Sequence, residues 1–109
     1  MKKERQKLIN EACVNFYEWA VDLIATNDPV FIKRLNYCKA YVYAFENEYG
    51  TLDYILRSYD TIVACCSGKA AIDFSRYAYG YTATTCQHIR KFFNQYASAN
   101  CKIRTWRDV

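Results

Sequence analysis

Residues 54–74 read YILRSYDTIVACCSGKAAIDF, and this stretch decides the fold class. Its first part, Tyr54–Cys66, is rich in Ile, Leu, Tyr and Val, residue types that favour strands. Ser67 and Gly68 then predict a tight turn, because glycine accepts the positive φ that short hairpin turns require. Ala70–Phe74 resumes with apolar side chains at alternate positions, as expected of a partner strand. The stretch therefore predicts a hairpin within a small antiparallel sheet.

A long amphipathic helix is predicted upstream of the hairpin, over residues 3–26. Its apolar residues recur at three- and four-residue spacing, and its charged and amide side chains lie on the opposite face. The apolar stripe consists of Leu8, Ile9, Ala12, Cys13, Phe16, Tyr17, Trp19, Ala20, Leu23 and Ile24. The polar face consists of Lys7, Glu11, Asn15, Glu18 and Asp22. Such a helix is suited to cover a sheet or another helix.

The segment between this helix and the hairpin is less distinct. Asp28 is a good N-cap and Pro29 fits a first helical position, so they predict a short second helix that extends to about Asn36. Residues 37–49 allow two interpretations. Aromatic and small residues alternate there, which indicates a strand, but a helical apolar spacing that ends at Gly50 is also present. The strand is the favoured interpretation.

A second clear helix is predicted downstream of the hairpin. Thr84, with Gln87 three residues later, forms a capping-box pattern that starts it, and residues 100–109 follow it as a basic tail. Its buried stripe is predicted to consist of Ile89, Phe92, Phe93 and Tyr96. Together the elements predict a single α+β domain, residues 1–109. It comprises a long N-terminal helix, a short second helix, a small antiparallel sheet of two or three strands, a C-terminal helix packed on the sheet, and the basic tail.

The composition indicates a packed, non-membrane protein. Hydrophobic residues make up 52% and charged residues 24% of the 109 residues, which is enough for one core. The charged segment at residues 1–7 is not followed by an uninterrupted apolar segment, so we expect no signal peptide. No stretch approaches the roughly 18 apolar residues that a membrane span needs. We therefore expect a cytoplasmic protein whose six cysteines are reduced.

Patterns for catalysis or metal binding are weak. The chain has one histidine, His88, and Cys86 lies two residues before it, which on a helix turns the two side chains apart. A structural hydrogen bond is the favoured role of His88. The cysteines lack the paired spacing of zinc sites, and adjacent Cys65 and Cys66 on one strand would face opposite ways. The sequence predicts no catalytic residues, no metal site and no cofactor.

The charge is unevenly distributed along the chain. Residues 1–56 hold seven Lys/Arg and eight Asp/Glu, whereas residues 57–109 hold eight and three, a net charge of +5. The second half also has an aromatic loop at residues 76–81. Cations interleaved with flat rings suit single-stranded nucleic acid, and they also suit a protein interface. The predicted partner-binding residues are Arg57, Arg76, Tyr77, Tyr79, Tyr81, Arg90, Lys91, Lys102, Arg104, Trp106 and Arg107.

Two stretches of the second half resemble a known family. Residues 56–64, LRSYDTIVA, and residues 80–92, GYTATTCQHIRKF, resemble a family of small proteins from phages and mobile elements of Gram-positive bacteria. In that family a strand of the form S-Y-(D/N)-T-I-V-A precedes a hairpin and a Y-(S/T)-x-T-T-x-x-H-I segment. The family is one of unknown function, so the resemblance implies a setting and no activity. We expect side chains of this motif, Ser58, Tyr59 and His88 among them, to fasten the last helix to the hairpin.

The setting and the lack of catalytic groups lead us to expect a non-enzymatic binding protein in a bacterial host cell. The phage setting and the small, non-catalytic form together lead us to expect an anti-defence inhibitor of the anti-CRISPR type, which binds and blocks a host RNA-guided nuclease. Its partner is then a host protein or ribonucleoprotein. The alternative is a phage nucleic-acid-binding or regulatory protein that uses a basic, Tyr-rich surface. Salt dependence separates the two, because phosphate contacts weaken steeply as salt rises.

Overall fold

The computed structural model describes residues 2–35, 39–78, 82–98 and 101–109. Within these residues the chain forms three helices and six strands. The helices are α1, Lys2–Thr26; α2, Ser75–Ala78; and α3, Ala83–Tyr96. The strands are β1, Phe31–Arg34; β2, Ala40–Glu46; β3, Leu52–Ser58; β4, Thr61–Ser67; β5, Ala70–Asp73; and β6, Lys102–Thr105. None of the helices in this part of the chain is long and apolar enough to cross a membrane.

The strands of the described ranges form one sheet in the order β1-β2-β3-β4-β5-β6, so the prediction of two or three strands is wrong. Each strand pairs antiparallel with the next, except β6, which runs parallel to β5 because α3 carries the chain back first. The stretch Tyr54–Cys66, predicted as one strand, spans β3 and β4. The chain turns between them at Tyr59 and Asp60, and Tyr59 has φ +55°. Residues other than Gly, Asn and Asp are uncommon there, so the residue types carried no turn signal.

The short second helix predicted for residues 29–36 is also wrong. Phe31–Arg34 forms β1 instead and pairs with residues 41–44 of β2. The Val30 N–H extends this pairing by donating to the Ala44 carbonyl at 2.7 Å. The helix-start signal was local, and the hydrogen bonds offered by the free edge of β2 override it.

Three predicted elements are confirmed. Helix α1 covers nearly the residues expected of it. The strand favoured within residues 37–49 is β2, although residues 36–38 lie outside the described ranges. The turn at Ser67 and Gly68 joins β4 to β5, with Ser67 opposite Ala70 and Gly68 at φ +57°. That positive φ is what the two-residue hairpin turn requires of glycine.

The basic tail is wrong as a description of the C-terminal residues, since Lys102–Thr105 forms β6. Lys102 lies opposite Ala70 and Arg104 lies opposite Ile72, so the tail extends the sheet beyond β5. Its partner strand, β5, precedes α3 in the sequence, whereas β6 follows α3. A four-residue strand with two cations has too weak a pattern to reveal such a distant pairing.

Helices α1 and α3 cover opposite faces of the sheet. Successive residues of a strand face opposite ways, and Ile55 and Leu56 of β3 show the consequence. Ile55 packs in a buried cluster with Cys13 and Ala20 of α1, whereas Leu56 packs in a second cluster with Phe92 of α3. The fold is therefore a helix–sheet–helix sandwich.

The start of α3 differs from the prediction. Its N-cap is Thr82, whose Oγ1 accepts a hydrogen bond from the Thr85 N–H at 3.1 Å, so the capping box at Thr84 and Gln87 is wrong. Thr84 is exposed. Thr82, Thr84 and Thr85 are all residue types that cap helices, so the sequence alone does not show which of them starts α3. The predicted buried stripe is confirmed for Ile89, Phe92 and Phe93, and Tyr96 is half-buried.

Candidate functional site

A groove of about 370 Å³ lies between the first turns of α1 and strand β6. Four cationic side chains line it: Arg5 from α1, Lys102 and Arg104 from β6, and Arg107 just after β6. The remaining lining residues are uncharged: Gln6, Leu8, Ile9, Ile103 and Thr105. We call this cleft the basic groove.

The pairing of β6 with β5 positions two of the cations. Arg104 lies opposite Ile72, which belongs to the cluster under α1, and alternate residues of a strand share a face. Lys102 and Arg104 therefore both lie on the α1 side of the sheet. Charged residues on an edge strand also discourage edge-to-edge aggregation. That role accounts for these two residues alone, but not for Arg5 and Arg107 converging on the same cleft.

Two amide side chains of α1 hold the far end of β6 in place. Gln6 Nε2 donates to the Thr105 carbonyl at 3.0 Å. Asn10 makes a double contact with Arg107: its Nδ2 donates to the Arg107 carbonyl at 2.6 Å, and its Oδ1 accepts from the Arg107 N–H at 3.0 Å. The two walls of the basic groove are therefore tied together before any ligand arrives.

The lining of the basic groove contains cations and no carboxylate. Arg5, Lys102, Arg104 and Arg107 are all exposed. None of the four forms an ion pair with a carboxylate in the described ranges. Like charges held close together raise the local positive potential, which attracts anions that carry several charges.

An aromatic cluster adjoins the basic groove. The Trp106 and Tyr77 rings lie 5.8 Å apart, and Tyr77 lies 5.6 Å from Tyr17 of α1. Trp106 is half-buried, and its backbone N–H donates to the Asp73 carbonyl at 2.9 Å, so this residue fixes the chain after β6 to the sheet. Tyr77 is 44% exposed and presents part of its ring to solvent.

Arg57 lies apart from the basic groove. It sits on β3, three strands from β6, with its guanidinium over the rings of Tyr41 and Tyr43 at 5.3 and 5.6 Å from their centroids. Its Nε is buried and makes no hydrogen bond in the described part of the chain. Stacking on two rings stabilises the cation where it lies.

The other predicted partner-binding residues are spread over the molecule. Arg90 and Lys91 are exposed on α3, on the opposite face of the sheet from the basic groove. Arg76 is exposed on α2, next to Tyr77. Tyr79 and Tyr81 lie outside the described residues. The structure thus brings together Lys102, Arg104, Arg107, Trp106 and Tyr77 from the predicted set.

Arg5 is the groove residue that sequence reasoning missed. It belongs to the half of the chain with a slight acidic excess, whereas the predicted partner-binding residues all come from the basic half. The charged run at residues 1–7 was the signal that could have identified it. Arg5 comes close to β6 only because the start of α1 packs against a strand at the other end of the chain.

His88 makes the structural hydrogen bond expected of it. Its Nδ1 lies 2.8 Å from Ser58 Oγ, and both residues are 3% exposed. Burial, and secondarily the positive charge of Lys91, lower the pKa of His88. The ring of Tyr59 lies 5.9 Å from the imidazole. This bond joins the two sequence stretches that carry the resemblance, and it fastens α3 to β3.

The described cysteines are free thiols. Burial, and then the charge of Asp73, raise the pKa of Cys13 to about 11. Burial also raises the pKa of Cys66 to about 12 and that of Cys65 further. Thiols that stay protonated are poor nucleophiles and poor metal ligands. In the described ranges no three potential ligands gather into a metal-binding group.

Comparison with known sequences gives a family. The sequence model of a family of unknown function, DUF8033, matches residues 25–107. The chain belongs to this family. The matched DUF8033 segment includes all six strands of the described ranges together with α2 and α3, while most of α1 precedes it. No curated protein and no solved structure matches the chain.

Proposed function

We propose that this protein is a non-catalytic binding protein whose basic groove takes the phosphate backbone of single-stranded nucleic acid. The observation that carries the proposal is the convergence of four exposed cations, from α1, β6 and the segment after β6, on one cleft, with no ion-pair partner among the described residues. Phosphate contacts from Lys and Arg supply most of the affinity of sequence-independent binding. The proposal includes a cytoplasmic location in a bacterial host.

The aromatic neighbour of the groove favours a single strand over a duplex. Tyr77 exposes part of its ring beside Trp106, next to the residues that follow β6. An exposed ring can stack on an unpaired base, whereas the bases of a duplex are already stacked on one another. A basic cleft with a nearby stacking face is the combination found in proteins that bind single strands without sequence preference.

Fluorescence anisotropy with a labelled oligothymidine of about twenty nucleotides tests the proposal. We expect binding at low salt, with a slope of log K against log salt of about −2 to −3. Each phosphate contact on a single strand contributes about −0.7 to that slope, and the groove offers three or four cations for contact. Absence of binding at about 50 mM salt would contradict the proposal.

A pair of charge reversals locates the site. Arg104→Glu should lower the affinity by about tenfold or more, because it removes one phosphate contact and adds repulsion. Arg90→Glu makes the same change of charge on α3, on the opposite face of the sheet, and should leave the affinity within about threefold. Equal losses from the two variants would show that binding follows net charge and not the basic groove. Both variants should keep the thermal stability of the natural chain, since both residues are exposed.

Inhibition of a host RNA-guided nuclease remains a prediction from the phage setting and the small, non-catalytic form. It is separated from the proposal by a pull-down from host lysate with and without nuclease treatment. A host protein that stays bound after nuclease treatment and in high salt would favour the inhibitor. Loss of the captured material under both conditions is the outcome expected for nucleic-acid binding.

A further inference from the structure

A second cleft, of about 610 Å³, lies toward the other end of α1, against the turn between β2 and β3. Its size falls within the range of about 300 to 1,000 Å³ that is usual for small-molecule sites. It shares no lining residue with the basic groove. We call it the acidic cavity, for the reason given below.

The wall and floor of the acidic cavity are apolar and largely aromatic. Phe16, Trp19 and Leu23 line it from α1, and Phe45 lines it from β2. The Phe16 and Trp19 rings meet edge to face with their centroids 6.0 Å apart. Phe45 is buried, whereas the three α1 side chains are half-buried. A flat apolar group could therefore pack against Trp19 and lose its contact with water.

One buried carboxylate points a hydrogen-bond acceptor at this cavity. Asp53 is 6% exposed and lines the cavity from β3. Its Oδ1 accepts from Asn47 Nδ2 at 3.1 Å and from Ser67 Oγ at 2.9 Å. Its Oδ2 accepts no hydrogen bond from any described residue. Asp53 Oδ2 is not among the fully buried side-chain atoms of the described ranges that lack a partner, so it keeps contact with the cavity and can accept a donor from a ligand.

Several hydrogen bonds close the turn that carries Asn47, the partner of this carboxylate. Asn47 Oδ1 accepts from the backbone N–H groups of Tyr49 at 3.0 Å and Thr51 at 3.2 Å. Gly50 adopts φ +79°, which lets the turn close with its N–H donating to the Asn47 carbonyl at 3.1 Å. The Asn47 amide is thereby fixed, and it in turn orients the Asp53 carboxylate. The site is built before a ligand binds.

The charge of the lining selects the class of ligand. Glu46, Glu48 and Asp53 line the cavity, and its lining contains no Lys, Arg or His. Glu46 and Glu48 are exposed at the rim, whereas Asp53 lies inside. The three carboxylates would repel an anion, and a neutral ligand would leave the charge of Asp53 without a counter-charge in the lining. A cation with an apolar group satisfies both parts of the lining.

We propose that the acidic cavity binds a small organic cation, an amine joined through a short alkyl chain to an aromatic ring. The ammonium group donates to Asp53 Oδ2, and the ring packs between Trp19 and Phe45. This site is independent of the nucleic-acid binding proposed above, so either proposal can fail without the other.

Phenethylamine and 2-phenylethanol are the probes that test this proposal. They share one skeleton and differ in whether the terminal group is charged. Binding is followed through the two tryptophan indole N–H signals in ¹H–¹⁵N NMR spectra, since the chain has two tryptophans. The Trp19 signal should shift saturably at millimolar phenethylamine, whereas the Trp106 signal should stay unchanged. The alcohol should bind about tenfold more weakly, because it lacks the charge-assisted bond to Asp53.

Asp53→Asn is the variant that isolates the carboxylate. Its amide oxygen can keep the two hydrogen bonds from Asn47 and Ser67, while an NH₂ group replaces Oδ2. The preference for the amine over the alcohol should disappear in this variant. Asp60→Asn, the same change at an exposed carboxylate in the turn between β3 and β4 and outside the cavity lining, should retain the preference.

The comparison of the two probes on the natural chain decides the proposal even if Asp53→Asn does not fold. Equal affinities for amine and alcohol would overturn it, as would a Trp19 signal that fails to saturate with either probe. A preference for the amine that persists in folded Asp53→Asn would also overturn the assignment of the carboxylate.

Discussion

At the scale of single residues, the buried Ser58–His88 bond is the clearest link between sequence and structure. A hydrogen bond between two side chains that are both 3% exposed is shielded from water, and removing either partner leaves a polar atom unsatisfied. Such a bond needs a neutral imidazole with a fixed tautomer. The lowered pKa of His88 fits this requirement, because burial disfavours the charged ring.

This pKa makes stability depend on pH. The unfolded chain takes up a proton at its histidine near pH 6.5, while the folded chain resists protonation until the pH is lower. Acid therefore favours the unfolded state, and the free energy of unfolding should fall as the pH drops from about 7.5 to about 5.5. Urea denaturation at intervals across this window measures the slope. His88 is the chain's one histidine, so His88→Gln should remove most of it. A slope that survives in this variant would assign the effect to another group.

Thiol reactivity is the second prediction at this scale. The thiolate is the reactive form, and burial keeps Cys13, Cys65 and Cys66 protonated. An aromatic disulfide reagent at about pH 8 should label the half-exposed Cys86 and Cys101 well before these three. In denaturant all the cysteines should react together. Rapid labelling of Cys65 in the folded protein would show that β4 opens readily or that the core is packed differently.

At the scale of elements, the sequence predicted what is decided locally. The period of α1, the glycine turn between β4 and β5 and the apolar stripe of α3 each depend on residues close together in the chain. Strand β1 was not predicted because Asp28 and Pro29 give a local helix-start signal that its pairing with β2 overrides. Strand β6 was not predicted because its partner, β5, lies on the other side of α3 in the sequence. The basic groove was likewise predicted only where it depends on local sequence. Its cations on β6 were predicted from charge, but Arg5 and the clamp through Asn10 depend on contacts between the two ends of the chain.

The cap of α3 gives a prediction at the scale of an element. Thr82→Ala removes the oxygen that accepts from the Thr85 N–H and should lower the free energy of unfolding by about 1 kcal/mol. Thr84→Ala, the matched control two residues on, should change it by less than about 0.5 kcal/mol because Thr84 is exposed. Phe92→Ala in the buried stripe should cost more, about 3 to 5 kcal/mol. Equilibrium denaturation ranks the three. A larger loss from Thr84→Ala than from Thr82→Ala would restore the capping box that the structure contradicts.

At the scale of the whole molecule, α1 forms one wall of both clefts. Arg5 lines the basic groove and Trp19 lines the acidic cavity, and the other wall of each cleft comes from the part of the chain that matches DUF8033. These two residues are fourteen positions apart along the helix, about 21 Å at the helical rise. The positive and negative surfaces are therefore held apart by one rigid element on the same face of the sheet.

That separation predicts that the two sites act independently. At about 150 mM salt the Debye length is about 8 Å, so the charges of one cleft are largely screened from the other. Arg104→Glu should weaken oligothymidine binding and leave the phenethylamine affinity within about twofold, and Asp53→Asn should do the reverse. In the double variant each ligand should show only the loss that its own single variant shows. The measurements are anisotropy for the nucleic acid and the Trp19 NMR signal for the amine. Saturation with one ligand that changes the affinity for the other by more than about threefold would contradict independence, and linkage would then require the same factor in both directions.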